Sequence, residues 1–578
     1  MKPIPFIVGA LACLVSACSE DTIGPSGPSL SVSEWELQSI GSDLSAVWAG
    51  PSGDIIAVGS EGSIIHWDGR RWSSMASGTT RWLNGIWGSA ADDVYAVGLG
   101  GVVLHYDGGA WSTVQPPDQS RVLRDVWGVS RSDVYAVGSD GAILHYDGRG
   151  WTQIHTAEES LFGVWGDAVG RIYVAGDNGL VLRYDGYQWS PMSTDVAMGL
   201  SAIWGRSASD IYAVGGFGST GIVLHYDGLG WTSISNPARY ALLDVWGAGS
   251  EGVYAVGYTG TAVYCDGDSC WAVSDGLSGS HRGLVGSGGR MWAVGVNGHV
   301  ATFDGTVWRT QMGGVSSRLL DIHGSQTDQL YAVGSGGTIM AYDGINWQEQ
   351  PSVTSEWLYG VWTGGPKLAV AVGQHGTIVR FDGEGWQTDS SGVTELLTAV
   401  WGVADSSVYA VGSSGSILHY DGKVWQPVPS GTSSDLFGVW GTSESDIYAV
   451  GASGTAIHYD GIAWQPMETG TNYTLRDIGS DGCGGIIAVG AVGTILRYDG
   501  VNWRADASGV SATLNDIWSG SECDLYVVGV DGTALTFDGQ AWNAVDVGTS
   551  LSLEGVFGFN SHEVFMVGSA GLVLRSGH

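Results

Sequence analysis

Short apolar runs separated by Gly and Asp turns recur along this chain about every 39 residues. One copy, from Val134 to Trp151, reads VYAVGSDGAILHYDGRGW. Short runs rich in Val, Ile, Tyr and Trp between such turns predict β-strands. In the copy that starts at Leu83, the runs LNGIWG, VYAVG, VVLHYDG and WSTV each predict one strand. The pattern therefore predicts an all-β repeat of four strands.

An Asp-Gly dipeptide marks the period of this repeat. From Asp304 onward each step is 39 residues, so the second half of the chain has almost no insertions. A period of about 40 residues with four short strands is typical of a β-propeller blade. We therefore expect an all-β β-propeller of about fourteen blades. The Asp-Gly dipeptides begin at Asp68, Asp107, Asp147, Asp185, Asp227, Asp266, Asp304, Asp343, Asp382, Asp421, Asp460, Asp499 and Asp538.

The two ends of the repeat region are out of phase with the four-strand unit. The run that starts at Trp35 resembles a fourth strand alone, whereas the last copy ends after its third strand. We predict that residues 35–39 complete the last blade against residues 571–576, which removes exposed strand edges. Two seven-bladed rings are the natural partition, with a first propeller over 35–308 and a second over 309–578. A single large ring is the alternative.

The first residues predict export. Lys2, the apolar stretch from Phe6 to Val15 and the sequence VSAC ending at Cys18 resemble a bacterial lipoprotein signal. This resemblance implies a signal peptide over 1–17, a lipid on Cys18 and a flexible tether over 18–34. The apolar stretch is too short for a membrane span of about 20 residues. We expect a protein of the cell envelope, at the outer membrane or the cell surface; an ordinary secretory signal is the alternative.

The remaining cysteines fit an oxidising compartment. Cys265 and Cys270 flank a turn, which predicts a disulfide across one hairpin. Cys483 and Cys523 occupy nearly equivalent places in consecutive repeats, which predicts a second disulfide between neighbouring blades. No pair of Cys-x-x-Cys spacings favours zinc. We expect no metal and no cofactor.

The charge balance excludes one class of partner. The chain has 58 acidic and 23 basic residues, for a formal net charge of −35. A strongly acidic surface repels phosphate backbones, so nucleic acid is not an expected partner.

The repeat core YAVGxxGxILHYDGxxW resembles the Asp-box (BNR) and sialidase-like propeller superfamily, including the photosystem II assembly-factor type. The resemblance covers residues 44–578. The chain departs from the Asp-box motif at the residue two before Asp and in a Trp one position closer to Asp. Two seven-bladed rings also resemble the tandem-propeller xyloglucanases, but no copy carries a matching catalytic insertion. An activity cannot be carried over from fold alone.

Repeated polar residues are interpreted as structural. Histidines recur in the third strand, where blades around a ring would keep them apart and unable to share one metal ion. Aspartates recur two residues before the Trp-type position of the first strand. Paired carboxylates could perform acid and base catalysis on a glycoside, which makes Asp321 and Asp516 catalytic candidates; local hydrogen bonding is the preferred interpretation. The histidines are His66, His105, His145, His225, His419 and His458, and the aspartates are Asp125, Asp244, Asp321, Asp477 and Asp516.

Binding residues are expected where the copies differ. The loops before the first strand and between the second and third strands open on one face of a propeller. Exposed aromatics there suit sugar rings or a protein partner. The candidates are Trp82, Phe217, Tyr240, Tyr258, His281, Trp357 and His375.

Together these patterns favour an anchored, monomeric, non-catalytic binding or scaffolding propeller for a protein or a polysaccharide. A secreted tandem-propeller glycoside hydrolase or lyase is the alternative, and an envelope assembly factor is the second alternative.

Overall fold

A computed structural model describes residues 35–114, 118, 120–167, 169–248, 252–520 and 524–576. Within these residues the chain forms fourteen four-stranded sheets, which we number in chain order. In sheets 1 to 13 the four strands are consecutive along the chain, and each pairs antiparallel with the next. The predicted all-β repeat of four-stranded units is confirmed.

The first strand of every sheet but one begins with a fully buried Leu. The first strands are β2 (Leu44–Ala49), β6 (Leu83–Ala90), β10 (Leu123–Ser130), β14 (Leu161–Gly166), β18 (Leu200–Ser207), β22 (Leu242–Ala248), β26 (His281–Ser287), β30 (Leu319–Gln326), β34 (Leu358–Gly365), β38 (Leu397–Ala404), β42 (Leu436–Ser443), β46 (Leu475–Ser480), β50 (Leu514–Ser519) and β54 (Leu553–Asn560).

The second strands are buried along almost their whole length because other strands cover both faces. They are β3 (Ile55–Gly59), β7 (Asp93–Gly98), β11 (Asp133–Gly138), β15 (Ile172–Gly176), β19 (Asp210–Phe217), β23 (Gly252–Gly257), β27 (Arg290–Gly295), β31 (Gln329–Gly334), β35 (Leu368–Gly373), β39 (Ser407–Gly412), β43 (Asp446–Gly451), β47 (Ile486–Gly490), β51 (Leu525–Gly529) and β55 (Glu563–Gly568).

The third strands end at the Asp-Gly turns in sheets 1 to 13. They are β4 (Ile64–Trp67), β8 (Val103–Tyr106), β12 (Ala142–Tyr146), β16 (Val181–Tyr184), β20 (Thr220–Tyr226), β24 (Ala262–Cys265), β28 (Val300–Phe303), β32 (Ile339–Tyr342), β36 (Ile378–Phe381), β40 (Ile417–Tyr420), β44 (Ala456–Tyr459), β48 (Ile495–Tyr498), β52 (Ala534–Phe537) and β56 (Val573–Ser576).

The fourth strands begin at the recurrent Trp in every sheet except sheet 6. They are β5 (Trp72–Ser74), β9 (Trp111–Val114), β13 (Trp151–Thr156), β17 (Trp189–Met192), β21 (Trp231–Ile234), β25 (Cys270–Ala272), β29 (Trp308–Met312), β33 (Trp347–Glu349), β37 (Trp386–Asp389), β41 (Trp425–Pro427), β45 (Trp464–Met467), β49 (Trp503–Asp506), β53 (Trp542–Ala544) and, in sheet 14, β1 (Trp35–Ser39).

Two kinds of turn connect the strands. In the turn after the third strand, the Asp147 carboxylate accepts hydrogen bonds from the N–H groups of Arg149 and Gly150 at 2.9 and 3.1 Å, and Gly148 has φ +85°. Single 3-10 turns connect the second and third strands except in sheet 5. These turns are Ser60–Gly62, Leu99–Gly101, Ser139–Gly141, Asp177–Gly179, Tyr258–Gly260, Val296–Gly298, Ser335–Gly337, Gln374–Gly376, Ser413–Gly415, Ala452–Gly454, Ala491–Gly493, Val530–Gly532 and Ser569–Gly571.

The Gly that ends each second strand has a steric cause. A Cβ atom on Gly98 would lie 2.0 Å from the carbonyl oxygen of Trp82, just before the first strand. The Val-Gly of the repeat is therefore needed for the loop before the first strand to pack against the end of the second strand.

The sheets pack through their first strands in two series of seven. In sheets 1 to 7 each first strand contacts the next, and the last of them, β26, contacts β2. Sheets 8 to 14 repeat this arrangement, with β54 in contact with β30. We call these groups the first series and the second series.

The chain passes between the two series at two places. β1 pairs antiparallel with β56, with Trp35 opposite Ser576, so the predicted completion of the last blade is confirmed. Residues 35–39 thus form the fourth strand of sheet 14, and the division into two propellers over 35–308 and 309–578 stays a prediction. The predicted boundary after residue 308 falls inside β29, which pairs with β28 and ends at Met312.

The apolar core is divided among the spaces between neighbouring sheets. The largest cluster surrounds β1, where Trp35 and Leu37 pack with Ile55 of sheet 1, Trp292 of sheet 7 and Leu574 of sheet 14. β1 thus joins the two series as well as completing sheet 14. Among the described residues, no helix is long and apolar enough to cross a membrane.

Candidate functional site

The site begins with the second residue of each first strand. In each first strand of the second series, the pairing register with the second strand shifts between the first and the third residue. In β30 this bulge lies between Leu319 and Asp321. The bulge leaves Leu319 fully buried while Leu320 lines a cavity. The second residues of all seven sheets of the second series line this cavity of about 440 Å³, which we call the axial cup. They are Leu320, Tyr359, Thr398, Phe437, Arg476, Asn515 and Glu554.

Aromatic rings form part of the mouth of the axial cup. Trp357 precedes β34, lines the cup and stays 37% exposed. Its ring lies 6.2 Å from that of Tyr359, with the planes inclined by 30°. Phe437 lies two sheets further on, and the Arg476 guanidinium lies over its ring at 5.4 Å from the centroid. The mouth therefore combines apolar faces with hydrogen-bonding groups.

Carboxyl groups also line the axial cup. Asp321 accepts hydrogen bonds from the N–H of Ile322 at 2.8 Å and from the N–H of Val361, in the next sheet, at 2.7 Å. Asp516 accepts in the same way from Ile517 at 2.8 Å and from Val556 at 2.6 Å. Each of these carboxylates therefore joins two sheets through both of its oxygens.

Glycines lie at the equivalent places in the sheets on both sides of Asp321. Gly360 follows it in sheet 9, and on the other side a Cβ atom on Gly555 of sheet 14 would lie 3.1 Å from the Cα of Asp321. Asp125 and Asp244 of the first series are also followed by Gly in the next sheet. Sequence reasoning missed this signal, which requires neighbouring copies to be compared in order.

Asp477 departs from this pattern because the next sheet holds Asp516, and not Gly, at the equivalent place. The Asp477 carboxylate accepts from the N–H of Ile517 at 3.3 Å and forms a side-chain hydrogen bond with Asp516. Burial raises the pKa of Asp477, and burial together with the neighbouring Asp477 carboxyl raises the pKa of Asp516 well above its usual range. Burial also raises the pKa of Asp321 to about 7. The two adjacent carboxyls therefore share a proton more readily than they ionise together.

Two arginines lie at the rim of the axial cup. Arg318 forms an ion pair with Glu554, whose side chain is only 10% exposed. Neither Arg318 nor Arg476 was among the candidates, and neither were Tyr359 and Phe437. The available signal was variation at the second position of the first strand, where the copies hold seven different residue types in the second series.

The predicted binding residues do not form one site. Trp357 lies in the axial cup with Asp321 and Asp516. His375 lies in the 3-10 turn of sheet 9, with its Nδ1 2.9 Å from a carboxylate oxygen of Glu356 beside Trp357. Trp82 lies in the first series, where its indole N–H donates to the Ser45 hydroxyl at 2.6 Å.

Three other candidates lie on neighbouring loops of sheets 5 and 6. Phe217 is 83% exposed at a hairpin that replaces the usual 3-10 turn. Tyr240 is 41% exposed, and its carbonyl oxygen lies against Gly221 of that hairpin region. Tyr258 is 44% exposed in the turn of sheet 6. None of the three lines the axial cup.

His281 differs from the expected exposed loop residue. It takes the place of the buried Leu at the start of the first strand and has no exposed surface. Its Nε2 lies 2.9 Å from Nδ1 of His299, and burial lowers the pKa of His281 to about 3. The interpretation of His281 as a surface contact is therefore wrong, because the first position of this strand points into the core.

The third-strand histidines have partners within their own sheets. Nε2 of His145 lies 2.7 Å from the Asp133 carboxylate, and its ring stacks on Tyr135. An aspartate carboxylate lies within hydrogen-bonding distance of Nε2 in the same way at His105, His225, His458 and His66. At His419 the partner is a serine hydroxyl. Within the described residues, no group of three or more His, Cys, Asp or Glu could hold a metal ion.

Cys265 and Cys270 form the predicted disulfide across the hairpin of sheet 6. Cys523 lies outside the described residues, so its pairing with Cys483 stays a prediction. Cys18, the signal peptide and the tether also lie outside the described residues.

Fourteen antiparallel four-stranded sheets, with the N-terminal strand completing the last one, define a β-propeller repeat protein. No protein-family model matches the chain, and no curated protein matches it. Solved structures do match.

One similar structure is the GH74 enzyme of Niastella koreensis. It covers 94% of this chain and 99% of its own length, with a TM-score of 0.68 and 14% sequence identity. Another is YCF48 bound to D1 peptide, which covers 46% of this chain and 92% of its own length, with a TM-score of 0.40 and 19% identity. At 14% identity the likeness to the GH74 enzyme shows the fold alone.

Proposed function

We propose that this protein is a non-catalytic binding or scaffolding β-propeller that recognises a protein or polysaccharide partner at the axial cup. The observation that carries the proposal is the exposed Trp357 beside Tyr359 at the mouth of a cavity lined by all seven sheets of the second series. Cavities of roughly 300–1,000 Å³ that combine aromatic faces with a few polar groups are typical of ligand sites.

The state of the carboxylates supports binding over catalysis. A glycosidase needs two carboxyl groups that face the scissile bond, one to donate a proton and one to act as nucleophile or base. Asp321 and Asp516 each direct both oxygens to backbone N–H groups of two sheets. Moving either carboxylate toward a substrate would break a bond between sheets, so we assign these residues to the scaffold.

We further propose two seven-bladed rings, one for each series. The contacts of β26 with β2 and of β54 with β30 support this arrangement. The chain would then cross between rings before β2 and after β29.

The resemblance of VSAC at Cys18 to a lipobox supports anchoring in the cell envelope. In a Cys18→Ser variant the protein should leave the membrane fraction and appear in the soluble fraction. Unchanged retention in membranes would contradict the anchor.

The binding proposal is tested by crosslinking and pull-down from intact cells that produce the full-length protein. The wild type should capture an envelope component that Trp357→Ala loses. The matched control is Trp82→Ala, because Trp82 also lies just before a first-strand Leu but belongs to the first series. Equal capture by wild type and Trp357→Ala would contradict a role for the axial cup.

The alternative of a hydrolase is tested on the purified protein, residues 19–578. We expect no release of reducing ends from a panel of glycans. Turnover that disappears in Asp321→Asn or Asp516→Asn would favour the tandem-propeller hydrolase instead.

A further inference from the structure

The axial cup differs from a pocket for an apolar side chain. Trp357 and Tyr359 present two rings inclined by only 30°, which together make a nearly flat apolar surface at one side of the mouth. The other sheets contribute hydrogen-bonding groups at the same position of the first strand, among them Thr398, Arg476 and Asn515. A flat aromatic surface beside several donors and acceptors matches a sugar ring, which has apolar C–H faces and hydroxyl groups around its edge.

The polar side chains around the cup are held in place by the scaffold. The Thr398 hydroxyl donates to the carbonyl oxygen of Leu436 at 2.6 Å, which leaves its oxygen lone pairs as acceptors. The Asn515 amide nitrogen donates to the carbonyl oxygen of Leu553 at 2.9 Å, in the next sheet, so its amide oxygen can accept from a ligand. Such fixed groups lose little entropy when a ligand binds.

The charges around the cup disfavour an acidic ligand. Two guanidinium groups, of Arg318 and Arg476, share the lining with four carboxyl groups. Arg318 is already paired with Glu554, and Arg476 lies over Phe437. A phosphate, a uronic acid or a peptide carboxylate would therefore meet Arg476, whose guanidinium already lies over Phe437, beside the negative charge that Asp477 and Asp516 keep when they share one proton. The four carboxyls are those of Asp321, Asp477, Asp516 and Glu554.

The surrounding strands also restrict how a ligand enters. Residues of all seven sheets of the second series line the cup, so a ligand that reaches the aspartates must come in along the axis between the sheets. The middle of a long polymer would have to fold back on itself to do so. A chain end enters without this bend.

We infer that the axial cup of the second series binds the end of a neutral glycan, with a sugar ring stacked on Trp357 and Tyr359. This inference rests on the proposed binding function and names the ligand class for the same site. It assigns Thr398, Asn515 and Arg476 to the hydroxyl groups of the sugar.

The test uses isothermal titration calorimetry on the full mature chain. The probes are neutral tetra- to hexasaccharides of glucose, mannose, galactose and N-acetylglucosamine, an oligogalacturonate as the acidic glycan, and a mixture of unstructured peptides. At least one neutral oligosaccharide should bind. Because a stacked aromatic contributes up to about 1.5 kcal/mol, Trp357→Ala and Tyr359→Ala should each weaken that binding roughly five- to tenfold.

Two matched variants act as controls. Trp82→Ala and Phe162→Ala remove aromatics from the corresponding positions of the first series, and neither should change the affinity. Circular dichroism spectra and melting curves of all four variants separate a loss of binding from a loss of fold. A long polymer of the same sugar should bind in proportion to its chain ends and not to its mass.

The other possible results contradict either the ligand class or the proposed binding function. If only the acidic glycan or a peptide binds, and Trp357→Ala abolishes it, the ligand class is wrong while the proposed binding function stands. If no probe binds although the pull-down from cells still depends on Trp357, the ligand class is again wrong. If neither the pull-down nor any probe depends on Trp357, the proposed function fails as well.

Discussion

The two series use equivalent positions at the start of their first strands differently. Trp82 and Trp357 each precede the Leu that starts a first strand. In the first series the indole of Trp82 bonds to Ser45, and the Arg282 guanidinium covers its ring at 5.4 Å from the centroid. In the second series Trp357 lies beside Tyr359, with ring centroids 6.2 Å apart, at the mouth of the axial cup and stays exposed. Equivalent aromatics therefore make different contacts in the two series: Trp82 is half-buried and contacts Ser45 and Arg282, whereas Trp357 is exposed beside Tyr359.

The aspartates of the first strands also differ between the two series. Asp125 and Asp244 lie in sheets 3 and 6, and each bridges to the sheet that follows it. Asp477 and Asp516 lie in consecutive sheets and contact each other. The first series thus satisfies each aspartate separately, whereas the second series concentrates carboxyl groups beside its cup. Identical blades do not imply identical sites, because a ligand site depends on the order in which variable residues follow one another.

The largest expected effect concerns the strand that completes the second series. Trp35 is 1% exposed, and truncating a buried Trp costs about 3–5 kcal/mol. Trp35→Ala should therefore loosen sheet 14 and the second series before the first. Limited proteolysis with mass spectrometry should place the earliest cleavages in sheets 8 to 14.

Trp308→Ala is the matched variant for this test. Trp308 begins the fourth strand of sheet 7 and is 2% exposed. Its loss should direct early cleavage to the first series. Identical cleavage patterns for the two variants would show that the series do not unfold separately.

The second prediction concerns pH. Burial raises the pKa of Asp244 and of Asp321 to about 7, so the folded protein holds protons there that the unfolded chain releases near pH 4. Stability should therefore fall as pH rises from about 4 to about 7. Between pH 5 and pH 8 the melting temperature should drop by several degrees, at about 2–4 °C per kcal/mol for units of this size.

Asparagine variants show which of the two series causes this pH dependence. Asp516→Asn should flatten the profile more than Asp125→Asn, because the pKa of Asp125 rises only to about 6 while that of Asp516 is also raised by Asp477. Equal slopes for both variants would contradict the coupling between Asp477 and Asp516. Scanning calorimetry over this pH range provides the measurement.

Much of the scaffold could be predicted from the sequence because its causes are local. An Asp-Gly turn needs only a side-chain acceptor and a positive φ, and a strand needs only apolar residues between such turns. The offset between Trp35 and the last copy likewise follows from counting strands. The axial cup could not be predicted in this way. The bulge between Leu319 and Asp321 places Leu320 in the lining of the cup, and neither residue type predicts a bulge there.

The burial of His281 was missed for a related reason. Its neighbours in other copies are leucines, so alignment to the repeat indicates a core position, whereas its polar character indicated a surface. The polar ring is accommodated by His299, whose own Nε2 lies 3.1 Å from the Thr310 hydroxyl. Position in the repeat was the better guide than residue type.

The third prediction concerns a feature of the first series. The disulfide between Cys265 and Cys270 closes a short loop within one hairpin, so the chain-entropy model gives a stabilisation of about 2 kcal/mol. A Cys265→Ser and Cys270→Ser double variant should lower the denaturant midpoint of the first series and leave binding at the axial cup unchanged. A loss of binding would show that the two series are coupled.

The smallest expected effect concerns the Arg282 guanidinium that lies over the Trp82 ring. Arg282 lies over the Trp82 ring and pairs with Asp43 at 3.1 Å, and contacts of this kind at a partly exposed place contribute about 0.5–1 kcal/mol. Arg282→Ala should barely change the melting temperature but should increase quenching of tryptophan fluorescence by acrylamide. Arg282→Lys, which keeps the charge and loses the planar group, should give an intermediate result. Unchanged quenching in both variants would mean that the hydrogen bond to Ser45, and not the guanidinium, keeps Trp82 covered; the contrast with Trp357 would then depend on a serine in sheet 1.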